Sequence, residues 1–158
     1  MRISGTGDVA TLFFEDLHPG RSFELGPVTV DDTEMRAFAA RYDPQWYHLD
    51  DDLAAAGSFG AVTASGWYTA CLFMRMYADA VLSRAAADAS PGLEEMRWTA
   101  PVYAGDELTG TVTIVDGQTS KSRPGLGTVT LEGEVRAKNR DRVVLRMRFR
   151  GWFAAREG

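Results

Sequence analysis

The sequence predicts an α+β fold, an antiparallel β-sheet wrapped around one long central α-helix. Three observations predict it. From about Asp31 to Ala89 the apolar residues recur at helical spacing, and after Gly92 the period changes to two. The stretch from Gly66 to about Ala87 is apolar on more than one side, which marks a buried helix rather than a surface one. The segments after Gly92 alternate apolar and polar residues, so each has one face that needs a core.

The elements follow in order. Residues 1–12 are expected to be a loose tail, and residues 13–158 a single domain. Ser22 to Val30 reads as a strand, with Pro27 placing it at an edge or a bulge. Asp31, Asp32 and Thr33 are cap residues for a helix carrying Met35, Phe38 and Ala39. Pro44 ends that helix, because it disfavours helical backbone at Asp43. Asp50 to Ala56 reads as another turn or two of helix, and Gly57 and Gly60 bracket a loop. Ser65 is the N-cap of the long helix, in which Trp67, Ala70, Cys71, Met74, Ala78, Val81 and Ala85 repeat at helical intervals. Leu72, Phe73 and Met76 widen its apolar surface, so Cys71 is expected in the core. Such a helix would be about 30 Å long. Strands are expected around Met96 and Trp98, Leu108 to Ile114, Val129 to Val135 and Val143 to Phe149, with Asn139-Arg140-Asp141 as the last hairpin turn. A sheet covering more than one face of a helix must curl around it, which is the hotdog arrangement.

Composition narrows the function. The 158 residues carry 17 Lys and Arg against 22 Asp and Glu, a net charge of −5, which argues against nucleic-acid binding. The single Cys71 cannot form an internal disulfide, so a reducing, cytoplasmic setting is expected. Met1 to Ala10 has no apolar run and is not a signal peptide. Charges interrupt the longest apolar stretch, so no membrane span is expected. Two histidines and one cysteine do not make a zinc cluster, and the sequence needs no metal and no cofactor.

The histidines are the two side chains that titrate near neutral pH. His18 lies in Leu17-His18-Pro19-Gly20, a turn. His48 lies five residues after Asp43, across a proline-interrupted loop, so both can point into one cleft. A neutral imidazole can take a proton from water, and a carboxylate can orient that water or return a proton. The start of the long helix at Gly66 offers free N–H groups and the positive end of the dipole, which would stabilise an enolate-like oxyanion. Gly66 has no Cβ to keep substrate from the backbone. Each residue also has a plain reading. Asp43 can be a turn residue before Pro44, His48 a loop histidine, Ser65 only a cap and Trp67 core.

The segment Phe38 to Trp67, FAARYDPQWYHLDDDLAAAGSFGAVTASGW, resembles the MaoC-like dehydratases, the family of (R)-specific enoyl-CoA hydratases, which have the hotdog fold. The matching residues are Asp43, His48, Phe59-Gly60 and Ser65-Gly66. FFEDLHPGRSFELG, RWTAPVYAGDEL and KSRPGLGTV extend the resemblance over about residues 12–153. It implies that Asp43 and His48 activate the water that adds at C3 and supply the proton that adds at C2, with the Gly66 N–H on the thioester carbonyl. Ser65 and Trp67 are candidate substrate-binding residues beside Gly66. The sequence departs from the family pattern at Tyr42, Gln45, Ser65 and Tyr68, and Trp46 and Tyr47 are bulky.

Hydration of an enoyl thioester, from coenzyme A or acyl carrier protein, is therefore expected. A hotdog thioesterase and a non-catalytic acyl-binding subunit are the alternatives, and a nucleophile other than water is a further enzymatic option. Arg97, Lys121 and Arg123 either meet the carrier's phosphates or form a solvated face. The resemblance also implies a homodimer or an assembly of dimers.

Overall fold

The computed structural model describes residues 1–156; the last two residues of the expected 13–158 unit lie outside the described residues. Five strands form one antiparallel sheet: β1 (Ser22–Thr29), β2 (Ala87–Trp98), β3 (Glu107–Thr119), β4 (Leu126–Ala137) and β5 (Arg142–Ala154). Their spatial order is β1-β3-β4-β5-β2, so β1 and β2 are the edges. Pro27 sits at a register shift in edge strand β1, where a missing N–H costs no central ladder bond. The helices are α1 (Asp32–Tyr42), α2 (Asp51–Ala56) and α3 (Gly66–Tyr77). A turn of π-helix, Ala78–Leu82, continues α3.

The sheet's concave face supplies Leu108, Val112, Ile114, Val129, Leu131, Val135, Leu145 and Phe149, all buried. Against it pack Leu72, Phe73, Met76 and Tyr77 of α3. The approach is close at Gly133, where a Cβ would lie 2.7 Å from the Phe73 ring, and at Gly26, where it would lie 2.7 Å from the Met76 sulfur. On the convex face Arg146, Arg148 and Arg150 of β5 pair with Glu134, Glu132 and Glu94 of the flanking strands. This is the hotdog arrangement, an α+β fold.

Three expectations need correction. The helical run ends at Leu82, not Ala87, and β2 already begins at Ala87. Alanine favours a helix but carries no directional pattern, so Ala85 to Ala89 gave no sign that the chain had turned. The turn is made by Ser83, whose hydroxyl donates to the Asp79 carbonyl at 2.7 Å, and by Ala86, whose N–H donates to the Leu12 carbonyl at 2.8 Å. Residues 1–12 are not a loose tail. Ile3 bridges Val9, the Gly5 N–H donates to the Leu82 carbonyl, and Ser4, Ala10 and Leu12 are buried. The segment therefore closes the C-terminal end of the central helix. Finally, α3 is not covered all round. Trp67, Cys71 and Met74 lie on one exposed stripe, so Cys71 is not a core residue. The sheet wraps one flank of α3 and leaves the other open.

Candidate active site

Local backbone chemistry sets the site. Asp31 caps α1 through its carboxylate on the Glu34 N–H, and Asp43 ends it as C-cap, its N–H on the Ala39 carbonyl. After Pro44 a single turn, Trp46–His48, returns the chain. Asp50 then caps α2. The extended segment before α3 is tied on both sides, Thr63 to the Tyr47 carbonyl and Ala64 to the Val102 carbonyl. These ties bring Asp43, His48 and the start of α3 to one point.

There they form a hydrogen-bonded cluster. The Ser65 hydroxyl donates to Asp43 Oδ2 at 2.7 Å. The same oxygen is 3.3 Å from His48 Nε2. The Gln45 amide donates to Asp43 Oδ1 at 2.6 Å, and the Tyr47 hydroxyl donates to the Gln45 amide oxygen. The Ser65 hydroxyl foremost, then Gln45 and His48, hold the Asp43 carboxyl below the ordinary range against the opposing effect of partial burial. His48 Nδ1 lies 2.7 Å from the Thr63 carbonyl oxygen. A carbonyl only accepts, so Nδ1 carries a hydrogen and Nε2 is the nitrogen that gains or gives a proton beside Asp43. A bare Nε2 lone pair facing a carboxylate is repulsive. The pair therefore either holds a proton between its members or takes one from a molecule placed against it.

The helix start lies beside this pair. Ser65, fully buried, caps α3 by accepting the Trp67 N–H at 3.3 Å. The Gly66 N–H has no hydrogen-bond partner among the described residues. Gly66 is needed for a reason the sequence did not show. A Cβ there would lie 2.6 Å from the Trp98 indole, whose Nε1–H donates to the Gly66 carbonyl at 2.7 Å. The space that glycine leaves is filled by Trp98, not left for substrate.

Asp43, His48 and Gly66 open into a cleft of about 460 Å³, walled by Tyr47, Phe59, Trp67 and Trp98 and floored by Thr69 and Val102. One carboxylate, one imidazole and one free backbone N–H in a common cleft can move a proton and polarise a carbonyl together. The MaoC-like domain model matches residues 15–136. The chain belongs to the MaoC-like family. Among solved structures, a MaoC-like dehydratase from Rhodospirillum rubrum superposes with a TM-score of 0.85 at 35% identity, covering 93% of this chain and 99% of that one. The chain is 36% identical over 90 residues to the 3-hydroxyacyl-thioester dehydratase Z of Mycobacterium tuberculosis, covering 56% of this chain and 60% of that protein. The R-hydratase PhaJ1 of Pseudomonas aeruginosa shares the fold, with a TM-score of 0.73 at 21% identity, over 94% of this chain and 89% of that one.

Membership in the MaoC-like family gives the departures their meaning. Tyr68 does not enter the cleft. Its hydroxyl donates to Glu34 at 2.7 Å and its ring meets Phe38, so it pins α3 to α1. Burial first, and then Glu34, raise the Tyr68 hydroxyl far above its usual range. Trp46 turns away toward Gly57, whereas Tyr47 walls the cleft. Tyr42 lies outside the cleft, on the open groove beside α3. His18 is an exposed turn residue, its Nδ1 3.3 Å from the Pro19 carbonyl. Arg97, Lys121 and Arg123 are not gathered. Arg97 pairs with Glu95 on the convex face. Lys121 and Arg123 lie in the β3–β4 turn, where Arg123 reaches Asp88 at 3.5 Å and stacks over Trp152. Arg97 stands opposite Arg146 and Ala89, next to Asp88, opposite Trp152, six residues along β5 or about 20 Å. One chain does not bring this trio to one phosphate.

Sequence reading missed Thr63, Trp98, and the buried Asp106 with its partner Arg140. Arg140 donates to Asp106 Oδ2 at 2.6 Å and to the Pro101 carbonyl at 2.8 Å. Burial pushes the Asp106 carboxyl up, but Arg140, the Tyr103 N–H and Asn139 together bring it below the usual range. This clamp holds the Ala100–Val102 wall of the cleft. Asn139-Arg140-Asp141 forms the expected turn, and nothing in its spacing marks Arg140 as an anchor.

Proposed function

We propose that this protein is a hydratase/dehydratase that adds water reversibly to a trans-2-enoyl thioester, giving an (R)-3-hydroxyacyl thioester. The observation that carries the reading is the Asp43–His48 pair within one cleft with the unpartnered Gly66 N–H. The thioester carbonyl accepts from Gly66 N–H, where the dipole of α3 supports negative charge on oxygen. Water lies against Asp43 and His48 Nε2 and loses a proton to the pair as its oxygen bonds to C3. The enolate thus formed takes a proton from the pair at C2. One water is consumed, its hydroxyl on C3 and one hydrogen on C2, and the pair is restored.

The carrier is coenzyme A or acyl carrier protein. The exposed stripe of α3 supports a homodimer. Trp67, Cys71 and Met74 face a groove of about 1000 Å³ bordered by Leu93 and Trp152, beside the open edge of β2. A second copy covers this apolar strip and the unpaired strand edge together. The lone Cys71 and the absence of any internal disulfide suit a cytoplasmic enzyme.

The test is loss of enoyl absorbance with crotonyl-CoA and longer enoyl thioesters, on coenzyme A and on carrier protein, with a thiol reagent in parallel. Turnover that requires His48, with no thiol release, supports hydration. Thiol release would make it a thioesterase. Binding of thioesters without either reaction would make it an acyl-binding subunit.

A further inference from the structure

We infer that the Tyr77 hydroxyl, on the floor of the apolar groove between α3 and β2, selects acyl tails that carry an oxygen far from the thioester. The inference rests on the thioester reading of the cleft and names the class of acyl group it takes.

The path of the chain makes the groove. β2 runs back along α3, so Trp98 at its end meets Gly66 at the start of the helix, through the indole N–H on the Gly66 carbonyl. At the other end Gly5 sits against both Leu82 and Ala87, where a Cβ on it would lie 3.2 Å and 3.5 Å from theirs. The N-terminal segment thus closes the groove there. At the near end Trp67 borders both the groove and the cleft. The groove therefore leads away from the catalytic pair and stops, and its volume of about 1000 Å³ has room for a long apolar tail. A second copy covers the exposed rim of Trp67, Cys71 and Met74, while Phe73 and Tyr77 lie deeper, both buried, as the floor.

The floor holds one polar group, the Tyr77 hydroxyl. Its ring is fixed, stacked on Phe73 with centroids 6.0 Å apart and edge-on to Phe149 at 5.4 Å. The residue is 4% exposed, yet its hydroxyl has no hydrogen-bond partner among the described residues. No unpartnered side-chain oxygen among them is sealed from solvent, so this one reaches open space, and the space that Tyr77 lines is the groove. Other polar groups along the groove are engaged. Ser90 donates to the Arg150 carbonyl, Arg150 pairs with Glu94 and Asp88 with Arg123. Burial alone raises the Tyr77 hydroxyl far above its usual range, so it stays protonated and donates. A buried hydroxyl without a partner is costly, and a plain hydrocarbon tail leaves it so, whereas a tail with a hydroxyl or carbonyl oxygen completes it.

The helix sets where that oxygen belongs. Tyr77 stands eleven residues after Gly66, about 16 Å along the axis. An extended chain advances about 1.1 Å per bond, and helical side chains lean back toward the N-terminus, which places the oxygen about ten to fourteen bonds from the carbonyl carbon.

The experiment uses trans-2-enoyl-CoA thioesters of ten, twelve and fourteen carbons, each with and without a terminal hydroxyl. Hydration is read as kcat/KM for the wild type and Tyr77→Phe, and binding of the same thioesters is read by calorimetry in His48→Ala, with and without Tyr77→Phe. At one or more of these lengths the wild type should favour the hydroxylated tail by about tenfold or more, and Tyr77→Phe, which keeps the ring, should abolish that preference. In a urea titration of the free protein Tyr77→Phe should unfold no earlier than the wild type. No preference at any length, or one that persists in Tyr77→Phe, would overturn the inference. So would a clear loss of stability in Tyr77→Phe, which would mean that the hydroxyl already has a partner in the assembled protein. If none of the thioesters is hydrated yet binding discriminates through Tyr77, the hydratase reading fails and the assignment of Tyr77 stands.

Discussion

Asp43 uses both carboxylate oxygens, one for Gln45 and the other for Ser65 and His48. Its proton affinity is thus set mainly by the Ser65 hydroxyl. Ser65→Ala removes that donor, so the Asp43 carboxyl should rise toward its ordinary value and the acid limb of the kcat/KM profile should move to higher pH. The same substitution removes the N-cap of α3 and should cost about 1 kcal/mol in a urea titration. Because the Asp43 value is depressed in the folded protein, its contribution to stability is complete above the unfolded value and is lost as pH falls through the folded one. In Ser65→Ala that loss should occupy a narrower window. Asp43→Asn and His48→Ala should each lower kcat by about 10² to 10⁴, the usual worth of a positioned acid or base, with the fold intact by circular dichroism. Asp43 and His48 were legible in sequence because spacing and neighbours mark them. Thr63 was not, because it acts through its backbone carbonyl, which any residue could supply.

Two elements carry the site, the start of α3 and the clamp under the cleft wall. Gly66→Ala should destabilise the protein by about 1–3 kcal/mol, the cost of forcing a methyl into a filled space. Trp98→Ala should relieve most of that cost in the double variant, a coupling that a denaturation cycle measures directly. Equal losses with and without Trp98 would mean that the indole does not fill the glycine's space. Arg140→Ala should leave the buried Asp106 carboxylate with only its Asn139 and Tyr103 donors and cost about 1–3 kcal/mol, with activity falling too, since Pro101 and Val102 line the cleft. The strands were readable because their alternation has a period of two. The end of α3 was not, because an alanine run prolongs a helical pattern and marks no turn. Trp98 and Gly66 were both visible in sequence, but their contact spans 32 residues and no local pattern reports it.

The molecule as a whole is an incompletely covered hotdog. Its sheet shields one flank of α3 and leaves Trp67, Cys71 and Met74 open. Light scattering should give the mass of a dimer at micromolar concentration. Met74→Asp, which puts a charge in the open groove, should shift the protein toward monomer. A wild-type monomer would contradict the account of that groove. The negative overall charge gave no view of this surface, because charge counts do not show which apolar residues a fold leaves outside. Addition of water across an enoyl thioester by the Asp43–His48 pair is tested by incubating the protein with trans-2-enoyl thioesters and determining the product and its configuration by chiral chromatography. An (R)-3-hydroxyacyl thioester should form with the wild type and not with His48→Ala. Release of free thiol, an (S) product, or no turnover on either carrier would contradict it.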